Sequence, residues 1–446
     1  MDITIPDDVK HVLDKLGDAG FEAYVAGGAV RDILAGKTPH NYDISTSAMP
    51  HQISTIFTKT IDGGSRPGVV TVISGNVGYE ITAFRSDGVF DDNKHPDDAC
   101  FTDDVYEDCL RRDFTINSMM YNPDTGILDY FGGIEDINNR IIRSVGEPGQ
   151  RFKEDALRML RAVRFKAELD FTIEHETERA IKKYAVLIKK IRPERTLEEL
   201  NKILLSEHPD YIRDLHRLGL LQHIIPQLEC CFGEPQRNKY HIYDVGEHII
   251  QTIKNTPCDL TLRWAAVLHD TGKPVCPSVD SNGIIHFYGH HRESRRIALD
   301  LLHKLRMDND MIHDICVLVE NHDYRVDANY TSVKRMMSKI GAEMFEKLMI
   351  LQEADNMAKN PKYLSEKLKR ISGCMSIYRS VIASNQPYRI SDLQINAADL
   401  AKSGFRQGRE LTETLRILLD EVIINPELNN RAYLLSRAAS IRKGSR

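Results

Sequence analysis

Two hydrophobic rhythms divide this chain. Up to about residue 145 the period changes from one stretch to the next. Residues 8–20 carry a helical repeat, and Ala23-Tyr24-Val25-Ala26 reads as a short buried strand running into a glycine turn. Residues 69–74 and 79–84 are β-rich, with a turn across 74–78. From about Arg151 the strand signals stop. Helical periodicity runs through 151–168, 174–190 and 195–206, with Pro193 as punctuation. The remainder is helical too, broken near Pro226, Pro235, Pro257, Pro274 and Pro387. There is no internal repeat and no low-complexity linker. The pattern predicts a small α/β head with a partly antiparallel sheet, followed by a long helical remainder.

At 446 residues the chain exceeds one ordinary core, so two to four domains are expected. Its apolar and charged fractions are those of a globular protein. No apolar run approaches the roughly 20 residues that span a bilayer. The acidic start, Met1 to Asp8, lacks the basic and apolar regions of a signal peptide, so a cytoplasmic location is expected. The eight cysteines are scattered and no C-x-x-C occurs, which points to reduced thiols. The net charge of −6 argues against a nucleic-acid-coated protein but leaves room for a local basic track. Residues 431–446 hold five basic side chains and no acid; a solvated helix end explains that run more simply than a phosphate-binding tail.

Candidate chemistry begins at Gly27-Gly28 and Arg31, where a glycine turn lets backbone approach a polyphosphate. At Asn41-Tyr42-Asp43, two acids one residue apart on a strand would share a side and hold magnesium against a triphosphate. Here the first acid is replaced by Asn41. Glu80, on a strand, is able to add a carboxylate. Arg111-Arg112-Asp113 follows, and then the run from Glu154 to Arg164. On a helix Asp155 and Arg158 would be neighbours, accepting from the exocyclic amine of cytosine or adenine and donating to the ring. Guanine and uracil would meet Asp155 with a carbonyl. Arg161 and Arg164 continue round that helix within reach of phosphates. Singly, each feature has a bland explanation as a turn, a cap or a surface ion pair. Their order and spacing do not.

In these stretches (27–46, 79–96, 109–122, 151–165) and in the tail 392–435, the chain resembles the class II tRNA nucleotidyltransferase / poly(A) polymerase family. The resemblance implies a multidomain α+β protein. Its polymerase-β-like nucleotidyltransferase head with a mixed sheet would span 1–146. An all-α neck (147–206), an HD-type body (207–360) and a tRNA-binding tail (361–446) would follow. It implies template-independent addition of C and A from CTP and ATP to the 3′ end of tRNA. Gly28, Arg31 and Arg112 would contact the triphosphate, and Asp155, Arg158, Arg161 and Arg164 the nucleotide. Asp43 and Asn41 would be the magnesium positions, with Glu80 in support. The stretch 85–96 would be a flexible loop switching between C and A, with Lys94 where arginine is expected. Asn41 keeps the shape of aspartate but not its charge, so nucleotide should bind while transfer is slowed by orders of magnitude.

A second constellation occupies 241–355: His248, His269-Asp270, His290-His291, His322 and Asp355. Imidazole and carboxylate together suit manganese, iron, nickel, zinc or magnesium. So many ligand-type residues on successive helices exceed what an isolated hydrogen-bonded pair explains. The region resembles the HD phosphohydrolase superfamily. That implies His248, His269, Asp270, His291, His322 and Asp355 as ligands, His290 being the alternative to His291, and a phosphatase or phosphodiesterase activity. Two other readings stand beside the leading one. In one, the HD site is the activity and the head only holds RNA; in the other, the chain is an RNA-binding protein with two decayed sites. Gly404 to Arg409 opens a helix whose N–H groups, with Arg406 and Arg409, would grip tRNA phosphates; an ordinary helix start explains it equally well.

Overall fold

The computed structural model describes residues 3–62, 68–75, 77–86, 100–406 and 408–444. The proposed switching loop therefore lies, from Asp87 through Pro96, outside the described residues. The chain divides into two compact units: residues 1–203 with 214–224, and residues 204–213 with 225–446.

The first unit opens with α1 (Asp7–Asp18). Asp7 and Asp8 in its first turn favour the positive end of the helix dipole, and Val9, Val12, Leu13 and Leu16 form its buried stripe. The strands that follow are β1 (Ala23–Ala26), β2 (Ile44–Thr46), β3 (Thr60–Asp62), β4 (Val69–Ser74), β5 (Val77–Ala83), β6 (Met120–Asn122) and β7 (Gly126–Leu128). They build one sheet in the order β3-β4-β5-β2-β1-β6-β7. β2 pairs with β5 in parallel and the other neighbours are antiparallel, so the sheet is mixed. All four residues of β1 are buried because both its edges and both its faces are covered.

Residues 41–43 precede β2 and are not part of a strand, so the alternation assumed for Asn41 and Asp43 is not enforced by a ladder. The sheet does place Glu80. Ile44 pairs with Ile81, which is fully buried, so Glu80 before it turns to the opposite face of β5.

The helical stretch expected over 151–168 is two helices. One is Pro148–Glu154; the other is α2 (Leu157–Leu169). Asp155 breaks them with an extended backbone (φ −142°, ψ 101°), and its carboxylate accepts from the Leu157 N–H as a cap. Pro193 starts the helix Pro193–Leu205, where its missing N–H costs nothing. Two short pairings depart from the all-helical expectation beyond residue 151. Thr172–Ile173 pairs in parallel with Ile141–Ile142, and Ser278–Val279 pairs with Ile285–His286. Two-residue strands carry too little alternation to be seen in a sequence.

The second unit is built on α3 (Val245–Asn255), α4 (Leu260–Leu268), α5 (His290–Lys304), α6 (Asn309–Asn321) and α7 (Ala342–Met357). Asp244, Asp259 and Asp308 cap α3, α4 and α6. α4 is buried all round, with Trp264 at its centre. The last helices carry a separate apolar cluster around Leu400, Leu418, Val422 and Leu434.

Candidate functional sites

The head cavity, about 430 Å³, is lined by Gly27, Gly28, Arg31, Asp43, Arg111, Arg112, Asp113, Asn117, Asp155, Arg158, Arg161, Arg164, Phe165 and Arg195. It is a basin of guanidinium groups, each steadied by an acid or amide. Arg31 donates to Asp32 Oδ1 at 2.6 and 2.9 Å and to Asn117 Oδ1 at 2.7 Å. Asn117 in turn donates to Asp113, whose other oxygen takes Arg161 at 2.6 Å. Arg112 bonds Asp108 and Ser45 Oγ, both at 3.0 Å, and its Nε is buried with no acceptor. An unsatisfied guanidinium N–H beside a cationic cavity fits an anion.

Burial pushes the Asp108 carboxyl up, but Arg112 and Arg111 outweigh it and hold it below the ordinary carboxylate range. Asp113 is likewise held low, burial being overcome by Arg161 and by the hydrogen bonds from Asn117 and Phe114. Both therefore stay ionised beside the arginines. The Phe165 ring lies 4.0 to 5.3 Å from the guanidinium carbons of Arg31, Arg161 and Arg164, a flat backing for three cations.

Gly27 has a left-handed φ of +64°, and a Cβ there would come 2.8 Å from Arg112 Nη1 and 3.1 Å from the Asn117 carbonyl. The turn is thus packed against Arg112, and it is Gly27, more than Gly28, that tolerates no side chain.

Asp155 and Arg158 line the same cavity but do not pair. The helix break at Asp155 undoes the single-helix geometry expected from their spacing. Arg158 donates to Glu154 (3.0 Å) and to the carbonyls of Arg151 and Arg111, and Asp155 Oδ2 takes Arg195 at 2.9 Å. Arg195 was not visible as a partner in the sequence, because it stands forty positions along on another helix. Arg164 is committed to Glu199 (2.7 Å) and Glu168. Asp43 reaches the cavity; Asn41 is exposed and does not line it.

The body cavity, about 360 Å³, contains a different chemistry. His248 comes from α3, His269 and Asp270 from the end of α4, His290 from the start of α5, His322 from the end of α6 and Asp355 from α7. Every one of these four histidines gives its Nδ1–H to a backbone carbonyl: Ala358 (3.3 Å), Ala266 (2.8 Å), Phe287 (2.7 Å) and Val319 (2.7 Å). A carbonyl only accepts, so the proton sits on Nδ1 and the Nε2 lone pairs are turned inward. They converge. His248 and His269 Nε2 lie 3.4 Å apart and 3.3 and 3.2 Å from Asp270 Oδ2; His290 and His322 Nε2 lie 3.3 Å apart and 3.3 and 3.5 Å from Asp270 Oδ1. His248 Nε2 also faces Asp355 Oδ1 at 3.0 Å. Lone pairs facing one another in a buried site fit a cation between them. Two such ligand groups, sharing Asp270, occur among the described residues.

The sequence had favoured His291 over His290. The structure places His290 in the cluster and leaves His291 at the cavity wall, since consecutive residues at a helix start diverge by about 100°. Lys273 and Lys359 line the same cavity, and each bonds a ligand carboxylate at 2.6 Å, Asp270 Oδ2 and Asp355 Oδ2. Burial pushes both carboxyls up, yet His269 and Lys273 for Asp270, and Lys359 for Asp355, hold them well below the ordinary range. Gly272 allows this turn to lie on the start of α5; a Cβ there would meet the His290 carbonyl at 2.5 Å.

At the tail, Arg409 is almost fully exposed and bonds Glu413 at 2.7 Å, and the Arg406 backbone N–H bonds Glu410. The C-terminal basic residues Arg431 and Arg437 pair with Asp399 and Glu421, as a solvated helix end would.

A mixed sheet backing an arginine-lined cavity, joined to helices that gather histidines and aspartates, defines a nucleotidyltransferase-type head with an HD-type body. Family models agree with both parts. The Poly A polymerase head domain matches residues 23–143, the probable RNA and SrmB- binding site of polymerase A matches 170–231, and the HD domain matches 241–360. The chain thus carries a Poly A polymerase head domain, the RNA-binding region that follows it and an HD domain, and it is similar to CCA-adding enzymes. It is 49% identical over 197 residues to the CCA-adding enzyme of Lactobacillus helveticus, covering 44% of this chain and 49% of that protein. Against the CCA-adding enzyme of Leuconostoc mesenteroides it is 39% identical over 264 residues, 59% of this chain and 63% of the relative. The chain thus spans about half to three fifths of the length of these relatives. The crystal structure of the Bacillus stearothermophilus CCA-adding enzyme in complex with CTP superposes with a TM-score of 0.75 at 26% identity, covering 99% of this chain and 100% of that one.

Proposed function

We propose that the chain adds C and A from CTP and ATP to the 3′ end of tRNA without a template. The observation that carries this is the guanidinium basin. Arg31, Arg112 and Arg161 are backed by ionised carboxylates and steadied for a triphosphate, with Asp155 and Arg158 at the same cavity to meet the base. The CTP complex of the similar Bacillus stearothermophilus enzyme supports the ligand class. Asp155 Oδ1 is occupied as a helix cap, so Oδ2, shared with Arg195, is the oxygen left to accept from the exocyclic amine. Arg158, close by on α2, donates to the ring. Asp43, with Glu80 of β5 in support, would hold magnesium, which when bound supplies charge neutralisation and activation of the tRNA 3′-hydroxyl. Among the described residues the head holds no ligand group of the kind found in the body. Asn41 supplies no carboxylate at the second position the resemblance assigns to magnesium, so transfer is slow while nucleotide binding persists. Arg406 and Arg409, exposed at a helix start, contact the tRNA backbone. The test is labelled CTP and ATP incorporation into tRNA lacking its 3′ end, comparing this chain with Asn41→Asp; incorporation by neither chain, with tRNA still bound, would leave the head a holding domain.

A second activity is favoured by the converged Nε2 lone pairs of the body. We infer an HD-type phosphohydrolase that acts on RNA ends, its divalent metal held by His248, His269, Asp270, Asp355, His290 and His322. A metal there would supply a hydrolytic nucleophile and polarise a phosphate. Phosphate release assayed with magnesium, manganese, nickel and zinc in turn tests this, and inactivity with all four would end it.

A further inference from the structure

The metal-ligand cavity of the body does not end at its cluster. A second cavity, about 390 Å³, adjoins it through His291 and Asp323, which line both. Its wall adds cations and a ring, from Arg292, Lys339, Tyr324 and Arg325, the last bonded to Asp327 at 3.3 Å, beside the acids Glu320 and Asp323. Lys339 Nζ donates to Asn321 Oδ1 at 2.8 Å and lies 5.8 Å from the centre of the Tyr324 ring, so ammonium and ring are held side by side. Tyr324 is 57% exposed. Of the acids present, Glu320 is committed to Arg295 at 3.2 Å.

The metal cavity has its own ring. Tyr288, 75% exposed, stacks on His286 with ring centres 5.3 Å apart and planes 9° from parallel. Asp280 fixes that histidine through a 3.0 Å bond to Nε2, and itself takes the N–H groups of Asn282 and Ile284. The platform is therefore built, not incidental. A single exposed tyrosine on a surface means little. Two in adjoining cavities are a different matter: one rests on a clamped imidazole and the other sits beside an ammonium, with metal ligands in the first cavity. Stacking faces interleaved with cations are what sequence-tolerant binding of a single strand requires. A small phosphomonoester would need neither.

We propose that the body cavity receives the end of a single-stranded polynucleotide. The terminal base lies on the Tyr288–His286 stack, and the next nucleotide occupies the second cavity against Tyr324, its phosphodiester facing Arg292 and Lys339. This rests on the phosphohydrolase reading above and narrows its RNA end to a single strand held at two successive nucleotides.

The experiment uses the full chain loaded with Mn2+ and trinucleotides phosphorylated at the 3′ or the 5′ end, with 2-aminopurine next to the phosphorylated nucleotide. 2-Aminopurine mononucleotides are the comparison, and fluorescence quenching reports stacking. One of the two trinucleotides should bind at least about tenfold more tightly than its mononucleotide. Tyr324→Ala should remove that advantage without weakening the mononucleotide, and Tyr324→Phe should retain it. Tyr288→Ala should weaken both ligands. No trinucleotide advantage, or one that survives Tyr324→Ala, overturns the proposal. Phosphate release from the same probes is scored separately. If no metal supports release, the hydrolase reading fails, and the quenching comparison still decides whether the cavities bind a strand end.

Discussion

The two cavities of this chain are chemical inverses. In the head, guanidinium groups dominate the wall and hold carboxylates: Asp32 on Arg31 and Asp108 on Arg112 from outside the lining, Asp113 on Arg161 within it. In the body, imidazoles and carboxylates converge, and two ammonium groups share the cavity wall with them: Lys273 bonded to Asp270, Lys359 to Asp355. In each case the opposite charge steadies the groups a ligand would meet. The head is prepared for an anion and has no finished metal site among the described residues. The body is prepared for cations before any substrate arrives.

The largest effect is expected where the inversion is most complete. Asp270 belongs to both ligand groups, so Asp270→Asn should abolish phosphate release, a loss of about a thousandfold or more, and leave nucleotide addition untouched. Loss of both activities would show that the two sites are coupled. Next is Asn41→Asp, which should raise single-turnover CTP incorporation by about a hundredfold or more, since a restored carboxylate is worth several kcal/mol of charge stabilisation. CTP affinity should change little.

The contrast in metal dependence has a thermal signature. Metal at a hundredfold over its Kd stabilises the folded state by about 2.7 kcal/mol. Calorimetry with and without chelator should therefore show the body transition moving by several degrees and the Asp270→Asn chain failing to respond. The head should lose stability in acid. Asp108 and Asp113 are held below the ordinary carboxylate value when folded, so the unfolded chain binds protons first as pH falls. Their contribution is complete above about pH 4 and is lost as pH drops through the folded values. Asp108→Asn should flatten that part of the curve at the cost of lower stability at neutral pH. The smallest effect is at the base-reading edge. Arg195→Ala frees Asp155 Oδ2 and should reduce the preference for CTP over UTP by about three- to tenfold, read as a ratio of kcat/KM.

Much of this was legible in the chain. The change of period near residue 150 marks the passage from sheet to helices, and the arginine and histidine runs fall in the cavities. What stayed hidden shares one cause. Arg195 on Asp155, Asn117 between Arg31 and Asp113, and the choice of His290 over His291 all depend on how elements distant in sequence, or one turn of helix start, are oriented. Spacing rules also assumed a continuous helix through 151–168. The capping carboxylate of Asp155 breaks it, and a residue that competes for backbone N–H groups can do so wherever tertiary packing favours the break.

The sequence by itself determined the inventory: which stretches bury an apolar face, which residue types could bind phosphate or metal, and that position 41 lacks a carboxylate. Those are local properties, set by side-chain chemistry and by periods of two or 3.6 residues. Only the tertiary structure decided which charges meet and which of them line a cavity. Lone pairs converge, or guanidinium groups gather, when separate helices and strands bring them within about 3 Å, and no local pattern fixes a distance between segments a hundred residues apart.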